Sequence, residues 1–537
     1  MRQLHFLLLL FPFCLSAQGG FVSSNLPIIL IHTNGQSIPD EPKIDAVMQI
    51  IDNGPGQLNN INDAPNHFNG TIGIEQRGST SNFFSDKKPY SIETRDASGE
   101  DMDFPLLGMP AESDWALLAP FNDKTLIREA LIFQLSREIM PWAPRTRLVE
   151  LFLNGQYEGV YMVTEKIKRD KDRVDIAKLK ATDLAGDSLT GGYILKLDKT
   201  TGAPNEGWIS PFPSQPGGWQ TTLWQVEYPK PADLQSEQKD YIQQWITGFE
   251  SVMNGPDFAH PDNGYSKYID VPSFLDFTLI NEMAKCVDAY RISTFLYKDK
   301  DSNDPYLHAG PVWDFNIALG NAGYCTAENP EGWIIDFNQF CPGDNWVVPY
   351  WWPRMWEDPL YRTQLKQRWA TLRAGPLSDT NIFGKLDSLT QLLNEAQVRN
   401  FERWPVLYTW QWPNVYCCGS YEEHVAFMRN WLKARLEWMD ANAKTLVTFE
   451  TPGSLKETEV FPNPSADFIY FTLPEYSYSQ ADLRIFDLNG RLMEQVQMVS
   501  NTSLFTYDAR RLPAGLFGFQ IIQEGRVVKS GKISHIP

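Results

Sequence analysis

The stretch "RLVELFLNGQYEGVYMVTEKI", residues 147–167, decides the first half of the fold. Two runs of alternating apolar residues meet at Asn154-Gly155, a pair suited to the left-handed backbone of a two-residue hairpin turn. The pattern predicts an antiparallel hairpin. Working outward, "NLPIILIHT", "GTIGIEQRG" and "KKPYSIETRD" have the composition or alternation of further strands. "DKTLIREALIFQLSREIM" places Leu126, Ile127, Ala130, Leu131, Phe133, Leu135 and Ile139 at helical spacing, with Asp123 as its predicted N-cap. The chain up to about residue 182 is therefore predicted to be strand-rich with one helix.

Beyond residue 183 the period changes. "SEQKDYIQQWITGFESVMNG", "VPSFLDFTLINEMAKCVD", "EDPLYRTQLKQRWATLRAG" and "YEEHVAFMRNWLKARLEWMDANAKTL" all read as helices. One exception, "STFLYKDKDSNDPYLHAGPVWDF", reads as a hairpin with a polar tip. A polar linker at residues 449–457 follows, and residues 458–537 alternate short strands with turns, the pattern of a small β-sandwich. The expected divisions are thus 1–18, 19–448, 449–457 and 458–537. The fold class read from these patterns is α+β.

The chain has 537 residues, too many for one ordinary core. A hydrophobic content of 42% and an aromatic content of 13% mark a globular protein. The net charge of −19 opposes general binding to nucleic acid, which is not expected as a partner. Residues 1–18, with Arg2 before the apolar run Phe6–Leu15, read as a cleaved export signal too short to span a bilayer. No transmembrane span is expected elsewhere. Export places the remaining cysteines in an oxidising setting. Cys325 and Cys341 flank a Gly/Asn/Pro-rich loop that a disulfide would pin, Cys417 and Cys418 pair with each other or elsewhere, and Cys286 is the expected buried thiol.

Two carboxylates invite a chemical reading. Asp288 follows an apolar helix, at the end where the macrodipole disfavours a negative charge. Asp314, between Trp313 and Phe315, needs a partner among apolar neighbours, and a metal ion supplies one. The turn at Arg77, Gly78 and Ser79 offers free N–H groups and hydroxyls to anionic oxygens. Lys88 follows in the next strand. Glu165 and Lys166 close the hairpin, where a free backbone edge would receive an adenine. Phosphoryl transfer requires such a phosphate cradle, a cation, a metal-holding acid and a group that orients the acceptor.

In order and wording these segments are similar to the spore coat protein H-type (CotH) kinases, atypical secreted or surface-associated protein kinases. The carriers are "RGSTS" with "KKPYSIE", "LLGMPAESDWALLAPFNDKTLIREAL", "VELFLNGQYEGVYMVTEKIK", "RVDI", "GGYILKLD" and "GPVWDFNIALGN". The resemblance implies a two-lobed kinase-like fold and transfer of phosphate from ATP, with Mg²⁺ or alternatively Mn²⁺, to Ser or Thr of a protein. It gives Asp288 the catalytic-loop role and Asp314 the metal-binding role, with Asn316 and Ser293 as further metal contacts. Lys88 becomes the phosphate-contacting lysine, and a basic, Ser-rich protein the expected substrate. "DAYRIS" carries Ser293 where protein kinases carry an Asn, so a surface pseudokinase or structural binding module is the alternative. "VFPNPS", "LRIFDLNGRLM", "LPAGLFGFQI" and "KSGKI" resemble the sorting domain of type IX secretion substrates in the Bacteroidetes. That similarity implies the outer-membrane secretion machinery as a partner.

Overall fold

Asn154 and Gly155 turn with φ of 51° and 79°, and Leu153 faces Gln156 across the expected hairpin. The computed structural model describes residues 20–78, 80–199, 207–443, 460–461, 463–472, 481–498, 504–523 and 526–536. The expected signal at 1–18, the linker at 449–457 and Ser79 lie outside these residues. Two compact units are present, Met1–Lys444 and Thr445–Pro537.

The hairpin is part of a closed barrel rather than an open sheet. Its strands, in order round the barrel, are Ile28–His32, Ile44–Ile51, Phe68–Gln76, Tyr90–Arg95, Asp114–Leu118, Gln156–Glu165 and Thr146–Leu153. The closing pair is parallel, with Ile28 opposite Glu150, whereas the other pairs are antiparallel. Alternate residues of each strand fill the interior: Ile29 and Ile31, Met48 and Ile50, Ile72 and Ile74, Trp115 and Leu117, Tyr161 and Val163. That period-two filling is what a small barrel requires. Strands 44–51 and 114–118 escape the sequence pattern because polar residues interrupt the first and the second is short.

The predicted helix forms over Arg128–Ser136, later than the pattern suggested. Leu126 takes φ of +63°, which breaks the first turn. Asp123 still caps it from a distance, accepting from the Arg128 backbone N–H at 2.9 Å and from Thr125 N–H at 3.0 Å.

Helices Ser236–Asn254, Val271–Ala284, Pro359–Arg373 and Tyr421–Asn442 occupy the four expected stretches. Ser420 and Glu423 form a capping box at the start of the last. Among the described residues, helices Asp379–Leu392 and Ala396–Arg403 and the shorter Thr80–Phe84, Phe337–Phe340 and Trp351–Met355 were not expected. The second half is also less helical than its period suggested. A five-stranded antiparallel sheet runs in the order Gly207–Pro213, Thr221–Tyr228, Tyr193–Leu197, Thr294–Lys298, Leu307–Ala309. The predicted hairpin forms only its last two strands. Trp208, Trp224 and Trp351 stack at centroid distances of 6.4 and 5.9 Å, joining this sheet to its helices.

Glu250, on helix Ser236–Asn254, lies fully buried beneath that aromatic stack. Its carboxylate accepts from Trp224 Nε1 at 3.0 Å and Ser210 Oγ at 2.8 Å. Burial nevertheless pushes it up to about 7. A carboxyl raised on folding contributes stability that is present below the unfolded pKa and lost as pH rises towards the folded one. Glu250→Gln is therefore expected to match wild type near pH 5 and to exceed it at pH 8 by about 1–3 kcal/mol. Calorimetry across that range checks the crossing. A constant difference at all pH values would refute the assignment.

Cys325 and Cys341 are joined, with Cα atoms 5.7 Å apart, and Cys417 is joined to Cys418. Cys286 is buried and reduced. Among the described residues no helix is long and apolar enough to cross a membrane.

The second unit, described by itself, has two sheets. One orders Val460–Phe461, Phe468–Thr472 and Leu504–Asp508; the other orders Leu492–Met498, Ala481–Phe486, Gly515–Gln523 and Arg526–His535. Ile469 and Phe471 of the first share one core with Leu483, Ile485, Phe519 and Ile533 of the second. The result is a sandwich.

Candidate active site

Helix Val271–Ala284 stops because Lys285 adopts a left-handed conformation, φ 42°. The Lys285 ammonium then donates to the carbonyls of Thr326, Asn329 and Glu331 at 2.8, 2.8 and 2.5 Å. Asp288 comes four residues past the helix end, so its exposure to the helix dipole is smaller than the sequence suggested. Its Oδ1 accepts from Arg291 Nη2 at 3.0 Å. Ser293, with φ +47°, leads into strand Thr294–Lys298. The returning strand Leu307–Ala309 leads to Asp314, itself held at φ +66° between half-buried Trp313 and buried Phe315. Both neighbours pack on Phe133, at 5.8 and 6.3 Å.

These turns bring the two acids to one cavity of about 1030 Å³. Asp198, Asp288, Asp314, Ser293, Asn316, Arg77, Gly78, Glu129 and Lys199 all contribute to its lining. Burial, then the like charges of Asp288 and Asp198, push Asp314 up to about 7 against Lys199 and Arg77. Burial likewise raises Asp198, although the backbone N–H groups of Lys199 and Ser293 hydrogen-bond it. Glu129 rises to about 8, through burial and then the charge of Asp314, with Arg77 opposing. Carboxylates this close together are poorly satisfied by protein groups alone; a cation would relieve them.

Arg77 supplies the opposite sign. Its guanidinium stands 5.4 Å from the Trp313 ring centroid, and its Nη1 is buried without a hydrogen-bond partner. An unmatched buried N–H beside an open cavity suits an anionic oxygen. Lys199 Nζ donates to Thr80 Oγ1 at 2.9 Å on the same wall.

Among the described residues no three His, Cys, Asp or Glu groups form a ready metal cage. A Mg²⁺ needs no such cage, because one or two carboxylates with phosphate oxygens and water complete its shell. Asp314 and Asp198, with Asn316, are the residues suited to hold it.

Three sequence candidates are not brought to the cavity lining: Lys88, Glu165 and Lys166. The barrel is closed, so strand Gln156–Glu165 has a neighbour on each side and no free edge for an adenine. Glu165 is fully buried and accepts from Arg145 Nε at 2.9 Å. Lys166 pairs with Asp114 at 3.7 Å. Lys88 lies against the barrel, where its carbonyl accepts from the Tyr161 hydroxyl at 2.9 Å. The adjacent Lys87 turns inward, donating to Asn400 Oδ1 at 2.9 Å and lowered by burial to about 7. Arg77, just past the end of strand Phe68–Gln76, and Lys199 are the cations that line the cavity. Sequence reasoning missed Asp198, Lys199 and Glu129. The signal for Asp198 was present, since in "YILKLD" an acid directly follows the buried strand Tyr193–Leu197.

Comparison with curated proteins gives no match. Among solved structures, the Pseudomonas fluorescens alkylpurine DNA glycosylase AlkC bound to DNA containing an abasic site analog matches at 14% identity with a TM-score of 0.11. The match covers 38% of this chain and 64% of that one, and at such a score it carries no argument. Residues 459–534 match the secretion system C-terminal sorting domain, and the protein is accordingly secreted or held at the cell surface. Residues 74–439, most of the chain, match the model of the CotH kinase protein, and the chain belongs to that family.

Proposed function

We propose that the protein transfers the terminal phosphoryl group of ATP to a Ser or Thr hydroxyl of an external protein substrate. The observation that carries this reading is the convergence of Asp288 and Asp314, from two separate turns, on one cavity with the unpartnered N–H of Arg77. The barrel supplies Arg77 and Gly78 on one side of that cavity. The later sheet and its flanking turns supply Asp198, Asp288 and Asp314 on the other, as two lobes of a kinase would.

In this reading Arg77 and the Gly78 backbone hold phosphate oxygens. Asp314, with Asp198 and Asn316, holds Mg²⁺, whose charge offsets that of the phosphates. Asp288 orients the acceptor hydroxyl and takes its proton as the new O–P bond forms and the bond to the departing ADP breaks. Ser293 serves through its backbone, which donates to Asp198, rather than as a metal ligand.

Calorimetric titration with ATP, with and without Mg²⁺, tests the reading alongside phosphate transfer to a basic Ser-containing protein. Metal-dependent binding and transfer are expected, and Arg77→Ala is expected to raise the KM for ATP by about tenfold for the lost charge-assisted hydrogen bond. Absence of binding with Mg²⁺ present would replace the kinase by a binding module. Binding without transfer would make the protein a pseudokinase.

A further inference from the structure

Asp288 does not hold its position alone. Arg291, whose side chain is 2% exposed, donates from Nη2 to Asp288 and from Nη1 to the Trp346 carbonyl at 2.8 Å and Asp344 Oδ1 at 3.3 Å. The Phe337 ring lies under the guanidinium, 4.1 Å from its carbon. The Arg291 Nε donates to the Val287 carbonyl at 2.9 Å, next to Asp288 in the chain, and its other partners, Phe337, Asp344 and Trp346, come from one short segment that contains Cys341. The backbone ties the cysteine to both sides of that cradle: Cys341 N–H donates to the Phe337 carbonyl at 2.9 Å, and Asp344 N–H to the Cys341 carbonyl at 3.2 Å.

The other half of the disulfide sits at the cavity wall. Cys325 follows Tyr324, which lines the cavity and stacks on Trp412 at 6.0 Å. The Tyr324 phenol is pushed up by burial and by the charge of Asp288, so the two share one environment. The Cys325–Cys341 bridge therefore joins the wall that faces Asp288 to the segment that holds its arginine. Lys285 and Arg435 secure the near part of this loop, through the carbonyls of residues 326–332. The bridge extends that hold to residue 341.

We propose that Arg291 is a positioning residue for Asp288, and that the loop closed by Cys325–Cys341 is what holds Arg291 in place. Turnover then depends on the oxidised loop, and the enzyme becomes fully competent only where that disulfide forms. This rests on the kinase reading given above. A guanidinium can fork between a carboxylate and a carbonyl in fixed directions, whereas an ammonium cannot, so lysine is a poor substitute. Misplacement of an orienting acid by about 1 Å is enough to cost about 10²-fold in rate.

The test compares Arg291→Ala, Arg291→Lys, the pair Cys325→Ser/Cys341→Ser, and their combination. The serine pair leaves Cys417–Cys418 intact, which a reductant would not. Arg291→Ala is expected to lower kcat by about 10²-fold with the KM for ATP within about twofold, and Arg291→Lys to fall between. The serine pair is expected to lower kcat by about tenfold, and its loss should not add to that of Arg291→Ala. Hydrogen exchange of the peptide covering residues 286–294 should quicken in each variant. Unchanged kcat and exchange in the serine pair would overturn the role of the loop. Additive losses, or a rise in KM that accounts for the whole effect, would overturn the positioning role. Should Arg291→Ala fail to fold, Arg291→Lys carries the same comparison. If wild type transfers no phosphate, the kinase reading fails, and exchange at 286–294 alone decides whether the loop holds Asp288.

Discussion

Asp288→Ala is expected to bind ATP–Mg²⁺ as wild type does while losing about 10²–10⁴-fold in turnover, the worth of one positioned base. Its carboxylate is engaged with Arg291 and lines the cavity, and in the proposed role of orienting the acceptor its contribution falls in the transition state. Asp314→Ala should fail in a different way. On the proposed kinase reading it removes the charge that would hold Mg²⁺, so the metal-dependent part of nucleotide affinity is expected to disappear. Its effect on folding should also have the opposite sign to that of an ordinary core mutation. Asp314 is half-buried beside Asp198 and Asp288 and raised to about 7 by desolvation and then by their like charges, a cost the unliganded fold bears. Asp314→Ala should therefore melt no lower than wild type without ligand, and lose the stabilisation that ATP–Mg²⁺ gives wild type. Calorimetric titration and thermal melting of both variants separate the two roles. Equal loss of nucleotide affinity in both would sink the division of labour.

What could be read from the sequence was local. Asn154-Gly155 needs only its own backbone to specify a turn, and Ser420 with Glu423 needs only one helical turn to cap a helix. Closure of the barrel was not legible, because it depends on Ile28 pairing with Glu150, which lies far from it along the chain. Strands such as Tyr193–Leu197, buried between two neighbours, lack the alternation that exposes a half-buried strand. The site divides along the same line. Asp288 and Asp314 stood out because an acid among apolar residues is costly wherever it lies. Lys88 and Glu165 lie away from the cavity lining because their places in the barrel are set by strands distant in sequence. Arg77 was legible as part of an anion-binding turn, but its setting beside Trp313 and Glu129, from later segments, was not.

The largest expected loss of stability comes from Arg435, on the last long helix of the first unit. Its side chain and that of Glu282 are both fully buried, with Nη2 3.2 Å from Oε2. Burial lowers Arg435 to about 10 and raises Glu282, so each ion is retained in the interior mainly by the other. Arg435 also donates to the carbonyls of Glu282, Pro330 and Gly332 at 2.8, 2.8 and 2.6 Å. Arg435→Met keeps much of the volume and leaves a buried carboxylate and three carbonyls without their donor. It is expected to cost about 3–5 kcal/mol. Replacing both partners should recover only part of that loss. Glu282 also accepts from the backbone N–H groups of Ile334 and Ile335, at 2.8 and 2.9 Å, and those donors would be orphaned in turn. Denaturant unfolding of the single and double variants measures both quantities. The sorting-domain sandwich, a separate compact unit, supplies an internal control, since its transition should not move. A single-variant loss below about 1 kcal/mol would mean that water reaches the pair and that the interior tolerates Glu282 alone. Otherwise the ion pair is a structural requirement of the candidate site, since two of the carbonyls that Arg435 holds, those of Pro330 and Gly332, belong to the loop between Tyr324 and Phe337.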